Sequence, residues 1–254
     1  MPRSGPAADL PTGFRLFAFD RLDSTNEEAL RRLAAGTARH GDTIVAESQT
    51  AGRGRRGRHW HSPRGNLHLT LIVRPPARVR VGELAFVAAL ASGEAVAAAV
   101  PLTAELRYKW PNDLLLGGRK LAGLLIEAGG TVEDPGLAIG IGVNVTEAPA
   151  GTAFPATSLH DAGSAATAGS LVAPLCRAFA AWYDRWLAEG FAPVRAAWLA
   201  RAHGVGGPIE ARLPDGTVQR GTFRGLDSGG ALMLEAEGGA VRAIAAGDVF
   251  FAAA

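Results

Sequence analysis

A single cysteine, Cys176, is the only thiol in this sequence, which therefore forms neither an intrachain disulfide nor a cysteine metal cluster. It lies in an apolar helical pattern and reads as a buried structural thiol rather than a nucleophile. Net charge is equally scarce. With 26 Lys and Arg against 24 Asp and Glu, the formal charge is +2, too small for bulk electrostatics to argue for a nucleic acid or a membrane surface. No run of about 18 apolar residues is present; the longest, residues 84–100, is interrupted by Ser92, Gly93 and Glu94. Residues 1–12 are rich in Pro, Ala and Gly and lack the apolar core and charge pattern of a signal peptide. The histidines, including His59, His61 and His68, show no paired metal-ligand spacing. Together these absences predict a cytoplasmic protein with no membrane segment.

What is present is a composition of 48% apolar and 20% charged residues over 254 positions, which suits a large domain with a sizeable core plus a small second one. After a flexible start over residues 1–13, residues 14–19 read as a strand. Ser24-Thr25-Asn26-Glu27-Glu28 follows as a helix start, in which Ser24 with Glu27, or Thr25 with Glu28, predicts a capping box. Residues 43–47 and 67–73 are strand candidates, and residues 82–100 an alanine-rich helix. Gly117-Gly118 joins the apolar stretches 114–116 and 121–127 in a hairpin, and residues 137–145 form a further buried strand. Two helices are predicted within residues 170–203, with Leu171, Leu175, Phe179 and Trp182 at core spacing. From residue 206 the pattern changes to short strands separated by turns such as Pro214-Asp215-Gly216 and Asp227-Ser228-Gly229-Gly230. That predicts a small β-barrel over 206–254 following a catalytic domain over 14–203.

The most informative segment is Gln49-Thr50-Ala51-Gly52-Arg53-Gly54-Arg55-Arg56-Gly57-Arg58-His59-Trp60. Four arginines in six residues repel one another, and the alternating glycines offer no apolar face to bury, so the loop is expected to be mobile until an anion gathers the arginines. The guanidinium fork donates two parallel hydrogen bonds to phosphate, and glycine lets backbone amides approach a ligand. Three readings compete: a solvated loop without a role, a nucleic-acid contact, and a phosphate-handling active-site loop. The position of the loop between two core strands favours the third. On physics alone, it binds a phosphate-bearing ligand.

Gly52-Arg53-Gly54-Arg55-Arg56-Gly57-Arg58, with Gln49 before it and Trp60 after it, resembles the signature of the biotin protein ligases. Other blocks similar to that family occur in the same order. They are Ser24-Thr25-Asn26, Gly65-Asn66-Leu67-His68-Leu69-Thr70, Lys109-Trp110-Pro111-Asn112-Asp113, Lys120-Leu121-Ala122-Gly123-Leu124-Leu125-Ile126-Glu127 and Gly140-Ile141-Gly142-Val143-Asn144. The small domain fits through Gly225-Leu226-Asp227 and Gly230-Ala231-Leu232-Met233-Leu234-Glu235. The resemblance implies an α/β (α+β) fold: a mixed β-sheet flanked by helices, class II synthetase-like, followed by an SH3-like barrel. The implied reaction joins the biotin carboxylate to the α-phosphate of ATP, with Mg2+, and then transfers biotin from biotinyl-AMP to a lysine of a biotin carboxyl carrier domain.

By the same resemblance, Lys120 contacts the biotin carboxylate and α-phosphate as they react, a role consistent with its place at the opening of an apolar strand. Arg53, Arg55 and Arg58 hold the intermediate, Arg55 retaining the adenylate. Ser24, Thr25 and Gln49 serve the ureido ring, with Asn26, Gly52 and Gly54 also on the biotin side, and Trp60 folds over the ligand. Helix capping remains an alternative use of Ser24 and Thr25. Asn112 and Asn144 lie near adenine and ribose, Lys109 neutralises the triphosphate, and Asp113 is a weak candidate for a magnesium contact. Only about a dozen residues precede the resemblance, which leaves no room for the winged-helix DNA-binding domain of many bacterial members. A ligase without specific DNA binding is expected, as monomer or homodimer. The competing functions are a lipoate ligase and a nucleic-acid-binding module built on the arginine loop.

Overall fold

A computed structural model describes residues 10–76, 80–101, 103–152 and 154–251. Most of the start expected to be flexible lies outside the described residues. Nine elements come first in chain order: β1 (Arg15–Phe19), α1 (Thr25–Ala34), β2 (Asp42–Ala46), β3 (Leu67–Val73), α2 (Leu84–Ala97), β4 (Leu106–Lys109), β5 (Asp113–Leu116), β6 (Arg119–Gly130) and β7 (Pro135–Val143). The strands form one seven-stranded sheet in the order β1-β2-β3-β7-β6-β5-β4. The β1–β2 pairing is parallel, bridged by α1, and the others are antiparallel, so the sheet is mixed as expected.

Because side chains alternate along a strand, the two sheet faces have different contents. On one face Leu71 and Ile139 join the main core under α2, α3 (Ala168–Glu189) and α4 (Phe191–Leu199). On the other, Ile72 and Ala138 pack with Ala29 and Leu33 of α1. The α1 face is stripped of side chains along β6 and β7, where Gly123 pairs with Gly142, Leu125 with Gly140 and Gly129 with Gly136. A Cβ on Gly136 would lie 2.3 Å from Leu33 and one on Gly129 2.6 Å from Leu30, so those glycines are what let α1 lie close to the sheet. At Gly123, Gly140 and Gly142 the same face is left as a floor.

The C-terminal strands are β8 (Pro208–Arg212), β9 (Val218–Leu226), β10 (Leu232–Glu235), β11 (Val241–Ile244) and β12 (Asp248–Phe251). They form an antiparallel sheet in the order β11-β10-β9-β8-β12. The barrel expected from the sequence is therefore open: among the described residues no β11–β12 pairing closes it. β11 leaves Val241, Arg242 and Ala243 exposed, while β12 turns Asp248 toward the arginine loop. This sheet shares a core with the first. Ile209, Phe223, Leu232 and Val249 belong to the same buried cluster as Phe86, Phe191 and Trp198. The buried Trp110 indole donates to the Gly230 carbonyl at 3.0 Å, and the Arg195 guanidinium donates to the Leu226 carbonyl at 2.6 and 2.9 Å.

Gly93 gives a direct test of how α2 sits on β4. An alanine inside a helix ordinarily gains about 1 kcal/mol over glycine. Here its Cβ would lie 2.2 Å from Tyr108 Oη and 2.8 Å from Cζ of a ring that is 1% exposed. Overpacking of that kind costs roughly 1–3 kcal/mol and outweighs the helix gain. Gly93→Ala is accordingly expected to lower the midpoint of urea unfolding, whereas a raised midpoint would show that α2 has room to shift.

Candidate active site

A cavity of about 500 Å³ opens over the glycine floor. It is lined by α1, the arginine loop, β3, β5, β6, β7 and the start of β12. Every site side chain singled out in the sequence except those of Arg56 and the loop glycine Gly52 falls on its wall: Ser24, Thr25, Asn26, Gln49, Arg53, Arg55, Arg58, Trp60, Lys109, Asn112, Asp113, Lys120 and Asn144. Gly54 lines it as well. Gly52 stands behind the wall, where a Cβ would fall 2.3 Å from Ser62 Oγ and 2.6 Å from the Trp60 carbonyl.

One end of the cavity is neutral and hydrogen-bonded. Gln49 Oε1 accepts from the Thr25 amide at 2.7 Å and lies 3.1 Å from the Thr25 hydroxyl, while Gln49 Nε2 donates to Ser62 Oγ at 2.8 Å. The Thr70 hydroxyl lies 2.8 Å from Thr25 Oγ1 and 2.7 Å from Asn26 Oδ1. Asn26 Nδ2 donates to Glu127 at 2.8 Å. These bonds replace the expected capping box. Ser24 occupies the N-cap position of α1 with extended backbone but makes no side-chain cap, because Thr25 is drawn into the tertiary network instead.

The other end is cationic. The arginine loop is folded back on itself as a short hairpin, with Arg53 bridged to His59 and a helical turn at Arg55–Gly57 in which Arg56 takes a left-handed φ of 57°. Asp248 of β12 holds the hairpin down, accepting from Arg56 at 3.2 Å and from Arg58 at 3.0 Å. Arg55 turns inward and donates at 3.3 Å to Asn112 Oδ1 and to the Gly247 carbonyl; burial lowers its pKa. The loop that the sequence leaves mobile is thus closed by the C-terminal sheet. Arg53 differs from the other arginines in pairing with Glu27 of α1 and, at 3.0 Å, with Glu127 of β6.

Lys120 stands between the two ends. Its Nζ is 2.7 Å from Asp113 Oδ1 and 5.5 Å from the centroid of the Trp60 ring, which lies on the Gly123–Gly142 pair. Lys109 reaches the other Asp113 oxygen at 3.5 Å and sits 4.6 Å from the Phe154 ring centroid. Burial alone would raise the Asp113 pKa, but the Lys120 and Lys109 ammonium groups overcome it and hold the carboxyl ionised, below its usual range. Burial also pushes the Lys109 pKa down, in spite of Asp113. Both Asp113 oxygens face lysines, and among the described residues there is no group of three or more His, Cys, Asp or Glu that could hold a metal ion. Asn144 is buried and donates to the Thr157 carbonyl at 3.1 Å.

Sequence reasoning assigned no role to Glu127, Thr70, Ser62, Phe154 or Asp248. The first two lie inside the matching blocks, where strand alternation places them on the cavity face. Asp248 is separated from the loop by 190 residues, and only the fold brings the two together.

Residues 18–144 match the model of the biotin/lipoate A/B protein ligase family, and residues 205–252 that of the biotin protein ligase C terminal domain. The chain is 43% identical to the biotin--[acetyl-CoA-carboxylase] ligase of Paracoccus denitrificans, over 91% of this chain and 98% of that one. It is 34% identical to the bifunctional ligase/repressor BirA of Bacillus subtilis, over 93% of this chain and 74% of that one. Among solved structures, the biotin protein ligase from Aquifex aeolicus in complex with biotin and ATP superposes with a TM-score of 0.79 at 25% identity, over 93% of this chain and 97% of that chain.

His68 gives the site a pH signature. It is 1% exposed, its Nε2 faces the Pro63 carbonyl at 3.0 Å, and its Nδ1 is buried without a partner. Burial lowers its pKa below the ordinary 6.5, so the folded state holds the ring neutral. As pH falls through 6.5 the unfolded chain takes up a proton that the folded chain refuses, and stability drops. A His68→Gln variant is expected to lose less stability than the parent between about pH 7.5 and 5.5. Urea unfolding at both pH values checks this, and equal losses would show that His68 does not contribute.

Proposed function

Because this chain belongs to the biotin/lipoate A/B protein ligase family, and its cavity joins a neutral hydrogen-bonding end to a cationic end, we infer that it is a biotin protein ligase. It activates biotin with ATP and transfers it to one lysine of a biotin carboxyl carrier domain. The observation that carries the reading is the position of Lys120, over the glycine floor and between the two ends. A carboxylate delivered from the neutral end and a phosphate held at the cationic end would meet at its ammonium group.

In this reading Thr25 and Gln49, with Ser24 and Asn26 beside them, receive the ureido ring, and Trp60 covers the acyl chain. The orphan Trp60 Nε1, buried without a partner, is a donor left for another group. Lys120 neutralises charge that builds on the attacking carboxylate and the α-phosphate, a stabilisation worth most where fixed donors need no reorganisation. Arg55, Arg58 and Lys109 hold the phosphates, and Asn112 and Asn144 the nucleoside. Displacing Asp113 from Lys120 would free the ammonium, and a polyphosphate is the kind of anion that could do so. Magnesium belongs to the nucleotide here, and none of the roles above depends on it. The second step needs only an incoming lysine amine and departure of AMP, so no protein nucleophile is required. The two units assigned are residues 14–203 for catalysis and 206–254 for closing the loop through Asp248.

Incubation of the chain with MgATP and a carrier domain, with biotin in one arm and lipoate in the other, tests the reading by intact-protein mass spectrometry. An ATP-dependent gain of one biotin, absent with lipoate, is expected. No gain from a carrier that a control ligase modifies would refute it. Lys120→Ala should lower adenylation by about 100-fold or more, the usual scale for losing a fixed electrostatic donor, with the fold intact by circular dichroism. Near-normal turnover would mean that another cation does the work.

A further inference from the structure

Glu127 has no place in the chemistry described so far, yet it joins two parts of the site. It sits on β6, on the sheet face that carries the cavity floor, and its carboxylate has two kinds of partner. Arg53 of the arginine loop reaches both oxygens at 3.0 Å, and Asn26 of α1 donates to Oε2 at 2.8 Å.

A carboxylate only accepts hydrogen bonds, and this fixes the direction of the bonds beyond it. Asn26 must present its amide nitrogen to Glu127 at 2.8 Å and to the Leu125 carbonyl at 3.3 Å, which turns Oδ1 toward Thr70 at 2.7 Å. The Thr70 hydroxyl has one proton; given to Asn26, it leaves a lone pair facing Thr25 Oγ1 at 2.8 Å. Gln49 is oriented from the backbone: its Oε1 accepts from the Thr25 amide at 2.7 Å, its Nε2 donates to Ser62, and Ser62 donates to the Trp60 carbonyl at 3.0 Å. The path leaves the arginine loop at Arg53 and returns to it at Trp60.

We propose that Glu127 is a positioning residue that, gripped by Arg53, sets the donor and acceptor directions of Asn26, Thr70 and the Thr25 hydroxyl, and so fixes that part of the polar edge offered to the biotin head. The proposal rests on the biotin ligase reading and deepens it. It also assigns the Arg53 side chain to the acid-binding end and not to the phosphates. A glutamine at 127 keeps the size but can donate. Asn26 would then keep only its longer bond to the Leu125 carbonyl, and the order of the hydroxyl bonds beyond it would be weakened.

Steady-state kinetics of carrier biotinylation test this with Glu127→Gln, Arg53→Ala and the double variant. Loss of the oriented, part-buried Glu127–Asn26 bond predicts a biotin KM raised about tenfold in Glu127→Gln, and a smaller rise in Arg53→Ala, whose bonds to Glu127 are solvent-exposed. The ATP KM and the kcat at saturating biotin should stay within about twofold, and the double variant should be no worse than the poorer single one. A merely structural role would lower the melting temperature and the active fraction and leave the biotin KM unmoved. A folded Glu127→Gln with the parent's biotin KM overturns the proposal, as does an Arg53→Ala whose ATP KM rises in place of its biotin KM. If Glu127→Gln does not fold, Arg53→Ala decides, since it releases the same carboxylate from outside. A parent chain that fails to modify the carrier overturns the ligase reading and the proposal with it; a working parent beside an unshifted Glu127→Gln removes only the proposal.

Discussion

A ligand that must lie against the backbone of a sheet needs a stretch of that sheet without side chains, and the rest of this structure is arranged around that constraint. Facing glycines on β6 and β7 weaken strand packing in proportion to what they omit. The chain places them as Gly123 with Gly142 and Gly129 with Gly136 and recovers contact from other elements. At the Gly129 end the compensation is α1, whose Leu30 and Leu33 occupy the vacated space. At the Gly123 end it is Trp60, an aromatic ring carried on a loop and hence removable. One face of one sheet thus holds a permanent interface and an exchangeable one, separated by the length of α1.

Charge is the second constraint. Arg53, Arg55, Arg58, Lys109 and Lys120 converge on the cavity, against the carboxylates of Asp113 and Asp248 on its lining. Without counter-charge such a cluster would push the loop outward. Asp113, buried between two lysines, holds the floor of the cluster, and Asp248 holds its lid. Breaking a buried pair leaves an uncompensated charge and costs about 3–5 kcal/mol, so Asp113 does more for the fold than its half-buried counterpart Asp248. The Asp248 contacts, to arginines a third or more exposed, are screened by solvent and individually weak. That asymmetry follows their positions, the floor held by buried pairs and the loop by screened ones.

Much of this was legible in the sequence because periodicity is local. β3 falls on residues 67–73 as expected, and the Gly117-Gly118 turn joins β5 to β6. The site residues were legible through their blocks, since each block is one strand end or loop that meets the cavity. Three features were not. The capping box at Ser24 follows a local rule that loses to a tertiary one, because Gln49 and Thr70 offer Thr25 partners that no window around residue 25 contains. That the barrel is open was not indicated, because turn spacing counts strands without fixing which edges pair, and the mostly exposed β11 lies at the sheet edge beside β10. The Asp248 latch depends on a contact across 190 residues, which composition and spacing do not encode.

The same comparison explains why Arg53 was read as one arginine among four. In sequence it is equivalent to Arg55 and Arg58, a cation in a glycine-rich run. In space it lies at the edge of the hairpin nearest α1, where Glu27 and Glu127 reach it first. A guanidinium already committed to two carboxylates would have to surrender both before taking a phosphate, whereas Arg55 gives up only two 3.3 Å bonds to neutral oxygens. Ease of release, more than charge, therefore distinguishes Arg55 from Arg53 as a group that an incoming anion could draw away.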